Sequence, residues 1–365
     1  MGISQRILVR NLLLAFFFSL FAPCSVLAQR TEIRAVWVHP GTFGIEKDAA
    51  TKSIQSTLDE YQSAGINTAI VMIKSTSGYL YYQSEIGVQD PAYNWDFFRV
   101  FLDEARQRGI TIHPWFCVFT EGALVGQVRQ HPEWLIRSKK SELVSIVNPA
   151  LPQVRQYEIS LMTELAKNYL VDWIHLDYIR FPCEPTEDYF SFDSQTRSLF
   201  KEYSGEDPSA IKAMDSGNIM WNEWIEWNAG QVTQFLRELR QSLASAGRSI
   251  KISAAVFPNA ENARVLIGQD WQLWAHEGLV DMLCPMLYTN NMQFFEHYTR
   301  RAVEITKGHC RMCAGIGIGT SHNQNSPEGV VRQINLSRTA GADGVVFFSS
   351  SSLKADFLAA LRSLR

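Results

Sequence analysis

The stretch Asp172-Trp-Ile-His-Leu-Asp-Tyr-Ile-Arg-Phe-Pro182 concentrates side chains able to do chemistry. Read as a strand, its period of two puts Trp173, His175 and Asp177 on one face and Ile174 and Leu176 on the other. A carboxylate on an enclosed face is costly to desolvate unless something offsets it, and Arg180 is near enough in sequence to be that partner. Asp177 then has two uses: a structural ion pair with Arg180, or service as nucleophile or proton donor in glycosyl transfer. The surrounding His175 and Tyr178 favour the second.

Glycoside hydrolysis normally takes two carboxyl groups, about 5–5.5 Å apart for retention or roughly 6.5–9.5 Å for inversion. Glu261, following Phe257-Pro-Asn-Ala, and Glu121 are the expected choices for the second. Glu223 and Glu226, set among Trp221, Trp224 and Trp227, are further ones, although each of the four is more often a solvated surface group. Lys74, Trp115, Tyr288 and Asn290 fall at or near strand ends and are expected to touch sugar, with rim packing as their alternative.

The elements that must position these groups alternate from Ile33 onward. Apolar runs at 33–39, 66–73, 110–116, 171–177, 250–256, 282–288, 312–318 and 344–349 read as strands. Amphipathic stretches near 51–64, 95–108, 152–168, 221–246, 270–277, 293–307, 327–340 and 354–364 read as helices. Gly65, Gly109, Gly247 and Gly341 stand where helices must stop and turn back. Eight strands alternating with eight helices imply an α/β chain of parallel βαβ units, closing as a single (β/α)8 TIM barrel. An open doubly wound sheet is the rival, but His39-Pro-Gly-Thr-Phe-Gly44 after the first strand is not a Gly-rich phosphate loop. Long loops over 117–151 and 181–220 follow the third and fourth strands, on the face where barrels carry their chemistry. Asp177 then sits at the C-terminal end of strand four.

A barrel raises a second possibility, since His39, His113, His175 and Asp177 could converge on a metal. No strand carries the His-x-His pair of barrel amidohydrolases, and a buried histidine more often bonds to a neighbour, so neither metal nor cofactor is expected. A barrel that binds glycan without cleaving it is a third.

The 365 residues include an N-terminal segment that reads as an export signal. Arg6 and Arg10 precede a short apolar run over 12–22, and Val26-Leu27-Ala28 supplies the small residues for cleavage before Gln29. Residues 1–28 are therefore expected to be a signal peptide and 29–365 the catalytic domain, periplasmic or extracellular, with no stable membrane insertion. Lipid anchoring at Cys24 is the lesser alternative, because Pro23 occupies the place of a small lipobox residue. Five cysteines remain, of which Cys117 and Cys183 follow adjacent strands and either pair or stay separate thiols. A net charge of −3 gives no sign of a polyanion-binding surface, so nucleic acid is not an expected partner. Ten Trp, 12 Tyr and 21 Phe suit sugar stacking, and equally suit a core.

Ile33-Arg-Ala-Val-Trp-Val-His39, His175-Leu-Asp-Tyr-Ile-Arg-Phe-Pro182, Asp270-Trp-Gln-Leu-Trp274 and Asp281-Met-Leu-Cys-Pro-Met-Leu-Tyr288 together resemble the family 10 glycosyl-hydrolase-like proteins. The resemblance runs from about Ile33 to the last strand. It implies a TIM barrel, an exported bacterial protein, and action on a polysaccharide or peptidoglycan glycan strand. Carried over by residue, it implies roles for Asp177, with Tyr178, Arg180 and Tyr288 nearby, and less directly for His39 and His175.

Overall fold

A computed structural model of the chain describes residues 31–140, 142–183, 190–211, 217–245, 247 and 249–364. The expected signal peptide and Cys24 lie outside them. From Glu32 onward the chain forms one compact unit.

Eight parallel strands close a barrel. They are β1 (Ile33–Val38), β2 (Thr68–Lys74), β3 (Thr111–Cys117), β6 (Trp173–Asp177), β7 (Lys251–Val256), β8 (Met282–Pro285), β9 (Arg311–Gly317) and β10 (Gly344–Phe348), with β10 pairing back onto β1. Between β3 and β6, α3 (Gly126–Gln130) precedes an antiparallel hairpin of β4 (Leu135–Arg137) and β5 (Leu143–Val147). The outer layer contains α1 (Lys47–Ser63), α2 (Phe97–Gln107), α4 (Pro152–Asn168), α6 (Ile219–Ser245), α9 (Met292–Thr306), α10 (Pro327–Ala340) and α11 (Ala355–Arg362). Three shorter helices, α5 (Ser194–Ser204), α7 (Ala260–Ile267) and α8 (Trp271–His276), follow β6 and β7.

Alternation along the strands divides the core in two. Ala35, Trp37, Ile70, Met72, Trp115, Trp173 and Cys284 belong to the cluster inside the barrel. Val36, Val38, Val71, Phe116, Ile174 and Leu176 pack outward against the helices. This is the division read from the 172–182 stretch, and it follows from side chains pointing to opposite faces of a pleat. Gly65 and Gly341 take the left-handed backbone at φ 77° and 88°, which ends α1 and α10 and turns the chain back toward the sheet.

The β4–β5 hairpin and helices α3, α5 and α7 were not expected. The β4–β5 hairpin is built from runs of three and five residues, too short to stand out from loop. Helix α7 starts where Asn259 Oδ1 accepts from the Asn262 N–H and stops at Gly268, φ 71°. The expected second carboxylate Glu261 is thereby an exposed residue of its first turn.

Candidate active site

Inside the barrel, a polar layer lies below the mouth. Trp37 Nε1 donates to His175 Nε2 at 3.2 Å, and Ser253 Oγ lies 2.9 Å from Nδ1 of both His175 and His113. An indole nitrogen can only donate, so His175 must carry its proton on Nδ1 and give it to Ser253, which in turn donates to His113. Burial keeps both rings neutral, pushing His175 down to about 3 and His113 well below its ordinary value. His113 also stacks on Trp173, centroids 4.3 Å apart. The expectation of His175 as a sugar contact is corrected: it is fully buried, and both ring nitrogens are engaged within the layer.

Above this layer opens a cavity of about 470 Å³. Asp177 lines it together with His39, Trp115, Tyr178, Arg180 and Tyr288. These are the five expected contacts that the fold brings beside the carboxylate. Asp177 is 6% exposed, and its Oδ1 accepts the Tyr178 backbone N–H at 2.7 Å. Tyr178 takes a left-handed φ of 49°, a conformation costly to a side chain with a Cβ. That turn swings the chain out of β6.

Burial raises the Asp177 pKa, opposed in turn by the Arg180 charge, the Tyr178 N–H and the Trp115 indole. Neither side chain closes a direct bond. Trp115 Nε1 is buried and lacks a hydrogen-bond partner among the described residues, so it acts on Asp177 at short range without bonding geometry. Arg180 is not in an ion pair with Asp177 either. Its guanidinium lies 4.3 Å over the Tyr178 ring and 5.1 Å from Phe257, with Nε unpartnered. The structural ion-pair alternative therefore lacks its contact.

His39 is mostly buried, which lowers its pKa, and its ring meets Trp115 edge-on at 5.1 Å. Tyr288 stacks on Phe348 at 5.2 Å, and Phe348 in turn meets His39 edge-on at 5.9 Å, continuing the aromatic lining. A neutral imidazole and aromatic faces around an acid suit hydroxyl-rich rings.

Four expected residues are placed elsewhere. Lys74 is wholly buried: Nζ lies 2.8 Å from Glu121 Oε1 and 3.1 Å from Glu158 Oε1, and donates to Val118 O at 2.7 Å. The register of β2 on β3 slips between Met72 and Lys74, and such an irregularity re-aims the next side chain. Glu121, the other expected second carboxylate, is sealed with it. A side chain at Gly78 would run into Glu121 Oε2, so the turn carrying cavity residues Ser75, Thr76, Ser77 and Tyr79 rests directly on Glu121. Glu261 does not line the cavity. Asn290 is exposed and braces the rim, donating to Gln324 O and accepting from Asn323. Of the further acids, Glu226 pairs with Arg264 at the surface, beyond a Trp224–Trp227 stack.

The remaining expectations concern sulfur and metal. Cys117 and Cys183 are separate thiols, as are Cys284, Cys310 and Cys313. Among the described residues, no three His, Cys, Asp or Glu side chains converge in ligating geometry.

Sequence reasoning missed Asp90, Tyr81 and Tyr79 on the loop after β2, and Met72, Met286 and Phe348 around the floor and walls. Phe348 was signalled by its place at the end of the last strand. Asp90 precedes Pro91 and carries the signature of a turn.

Residues 32–333 match the family model described as glycosyl hydrolase-like 10. The chain belongs to that family. It is 23% identical over 331 residues to glycosyl hydrolase YngK of Bacillus subtilis (strain 168), covering 79% of this chain and 61% of that protein. It is also 23% identical over 277 residues to glycosyl hydrolase DigH of Escherichia coli (strain K12), covering 63% and 56%. The chain thus spans about three fifths of the length of these two relatives. Among solved structures, the glycoside hydrolase domain of PgaB (BpsB) from Bordetella bronchiseptica superposes with a TM-score of 0.71 at 16% identity, covering 91% of this chain and 98% of that one. The GH42 β-galactosidase Gan42B from G. stearothermophilus gives 0.65 at 12% identity, covering 92% and 57%. At such identities the likeness is one of fold: a TIM barrel shared with glycoside hydrolases. Among the described residues, no helix is long and apolar enough to cross a membrane.

Proposed function

We propose that this protein hydrolyses O-glycosidic bonds in a polysaccharide or peptidoglycan glycan strand, with Asp177 as the proton donor to the departing oxygen. The observation that carries the reading is the carboxyl at the mouth of β6, raised in pKa by burial and facing a cavity walled by Trp115, Tyr178 and Tyr288. An upward shift of a carboxyl pKa is the direction that leaving-group protonation requires. Aromatic walls hold sugar faces, while Arg180 and His39 offer polar contacts to hydroxyls. Family membership and the names of YngK and DigH support the reaction class.

The N-terminal sequence supports export, with cleavage after Ala28 and a mature chain in the periplasm or outside the cell. Incubating the purified chain with denuded peptidoglycan glycan strands and a polysaccharide panel, followed by product analysis, tests the activity. New reducing ends are expected from wild type and not from Asp177→Asn. Binding without turnover by wild type would instead mark a lectin-like barrel.

A further inference from the structure

Asp177 needs a partner if hydrolysis is to take two carboxyl groups, and Glu121 and Glu261 are both out of the cavity. Among the described residues, one other carboxylate lines it: Asp90. We infer that Asp90 is the second carboxyl group of the hydrolytic centre, held in place beside Tyr81 and acting as base on the water that attacks the anomeric carbon. The inference rests on the reading of Asp177 as proton donor.

Asp90 belongs to a loop fixed by its own bridges. Leu80, fully buried, pairs with Lys74 on one side and Gln89 on the other, and the Asp90 N–H donates to Leu80 O at 2.8 Å. The Tyr81 N–H donates to Ile73 O, tying the same segment to β2. The carboxylate spends Oδ1 on the Ala92 N–H at 2.9 Å, while Oδ2 takes no hydrogen bond among the described residues. Tyr81 shares the cavity wall, and its hydroxyl feels the Asp90 charge at short range without closing a full hydrogen bond. Burial pushes Tyr81 up to about 12, and the Asp90 charge adds to the rise. Tyr81 therefore stays a neutral phenol able to orient Asp90, and is not itself a nucleophile.

Both carboxyl groups line the same cavity, so a sugar bound there lies within reach of each, and a base that activates water in place of a nucleophile gives inversion. In the step itself, Asp177 gives its carboxylic proton to the glycosidic oxygen as the C1–O bond breaks, and that oxygen keeps the bonding pair. A water oxygen forms the new bond to C1, and its proton passes to the Asp90 carboxylate. Exchange with solvent then reprotonates Asp177 and deprotonates Asp90.

The test uses the full-length chain and the glycan from the panel that wild type cleaves. Asp90→Asn, which keeps the acceptor for Ala92, is expected to lower kcat about a hundred- to a thousandfold with KM within about threefold of wild type. Tyr81→Phe is expected to lower kcat about tenfold at unchanged KM. Sodium azide should restore turnover to Asp90→Ala by replacing the activated water, a rescue that a merely structural role would not give. Hydrolysis should invert the anomeric configuration. Wild-type kcat in Asp90→Asn, failed azide rescue, or retention of configuration would overturn the assignment. If Asp177→Asn is inactive while Asp90→Asn is not, the Asp90 role alone falls; if wild type cleaves nothing, both fall.

Discussion

Lys74 Nζ lies 2.8 Å from Glu121 Oε1, and neither side chain reaches solvent. With Glu158 at 3.1 Å, one ammonium sits between two carboxyl groups beneath the cavity loop. Burial opposes the Lys74 charge, yet the two acids outweigh it and hold its pKa above the ordinary value. Removing one member of a buried pair strands the other, at a cost of about 3–5 kcal/mol. Lys74→Met is therefore expected to lose about that much in urea unfolding, while the double variant Lys74→Met/Glu121→Gln recovers part of it. A sugar contact would instead show as a raised KM at wild-type stability.

Glu158 adds a pH dependence. Burial raises its pKa, Lys74 lowers it and Glu121 raises it again, leaving it at about 8. The folded state therefore binds this proton more tightly than the unfolded chain. Its contribution is complete below the unfolded value near 4.5 and is lost as pH rises through about 8. Wild-type Tm should fall from pH 5 to pH 9 more steeply than that of Glu158→Gln, which keeps a neutral group throughout. Parallel curves would remove Glu158 as the cause.

Trp115 lowers the Asp177 pKa through its indole N–H. Trp115→Phe keeps an aromatic wall and deletes that N–H, so the Asp177 pKa should rise. A proton donor loses activity as pH climbs through its pKa, so the alkaline limb of kcat against pH should move upward in this variant. A limb that stays in place would separate it from Asp177.

The floor of the cavity makes a prediction of its own. Ser253→Ala leaves the Nδ1 atoms of His113 and His175 without the hydroxyl they share. A loss of about 1–3 kcal/mol in unfolding free energy is expected, with KM for the cleaved glycan unchanged. A raised KM with stability intact would bring this layer into substrate binding.

Residues whose position depends on strand alternation were legible in the sequence. Asp177, Trp115 and Tyr288 follow from the pleat once the strands are in register, and the glycine stops at Gly65 and Gly341 follow from local backbone sterics. What escaped is non-local. Lys74 looked like a rim residue because it ends β2, but a register slip against β3 sends it toward Glu158, 84 positions further along. Glu121 follows β3 closely enough to seem catalytic, and the turn at Gly78 covers it. Asp90 sits in an Asp-Pro step that reads as a turn, and only bridging of Leu80 to two segments carries it to the cavity.

The most direct measurement compares wild type with Asp177→Asn on the cleaved glycan, alongside the unfolding curves of both. Asn retains an acceptor for the Tyr178 N–H, so the variant should unfold within about 1 kcal/mol of wild type and bind glycan with little change. Its kcat should fall at least about a hundredfold. Undiminished turnover in a folded Asp177→Asn protein would contradict the assignment of this carboxyl as the proton donor.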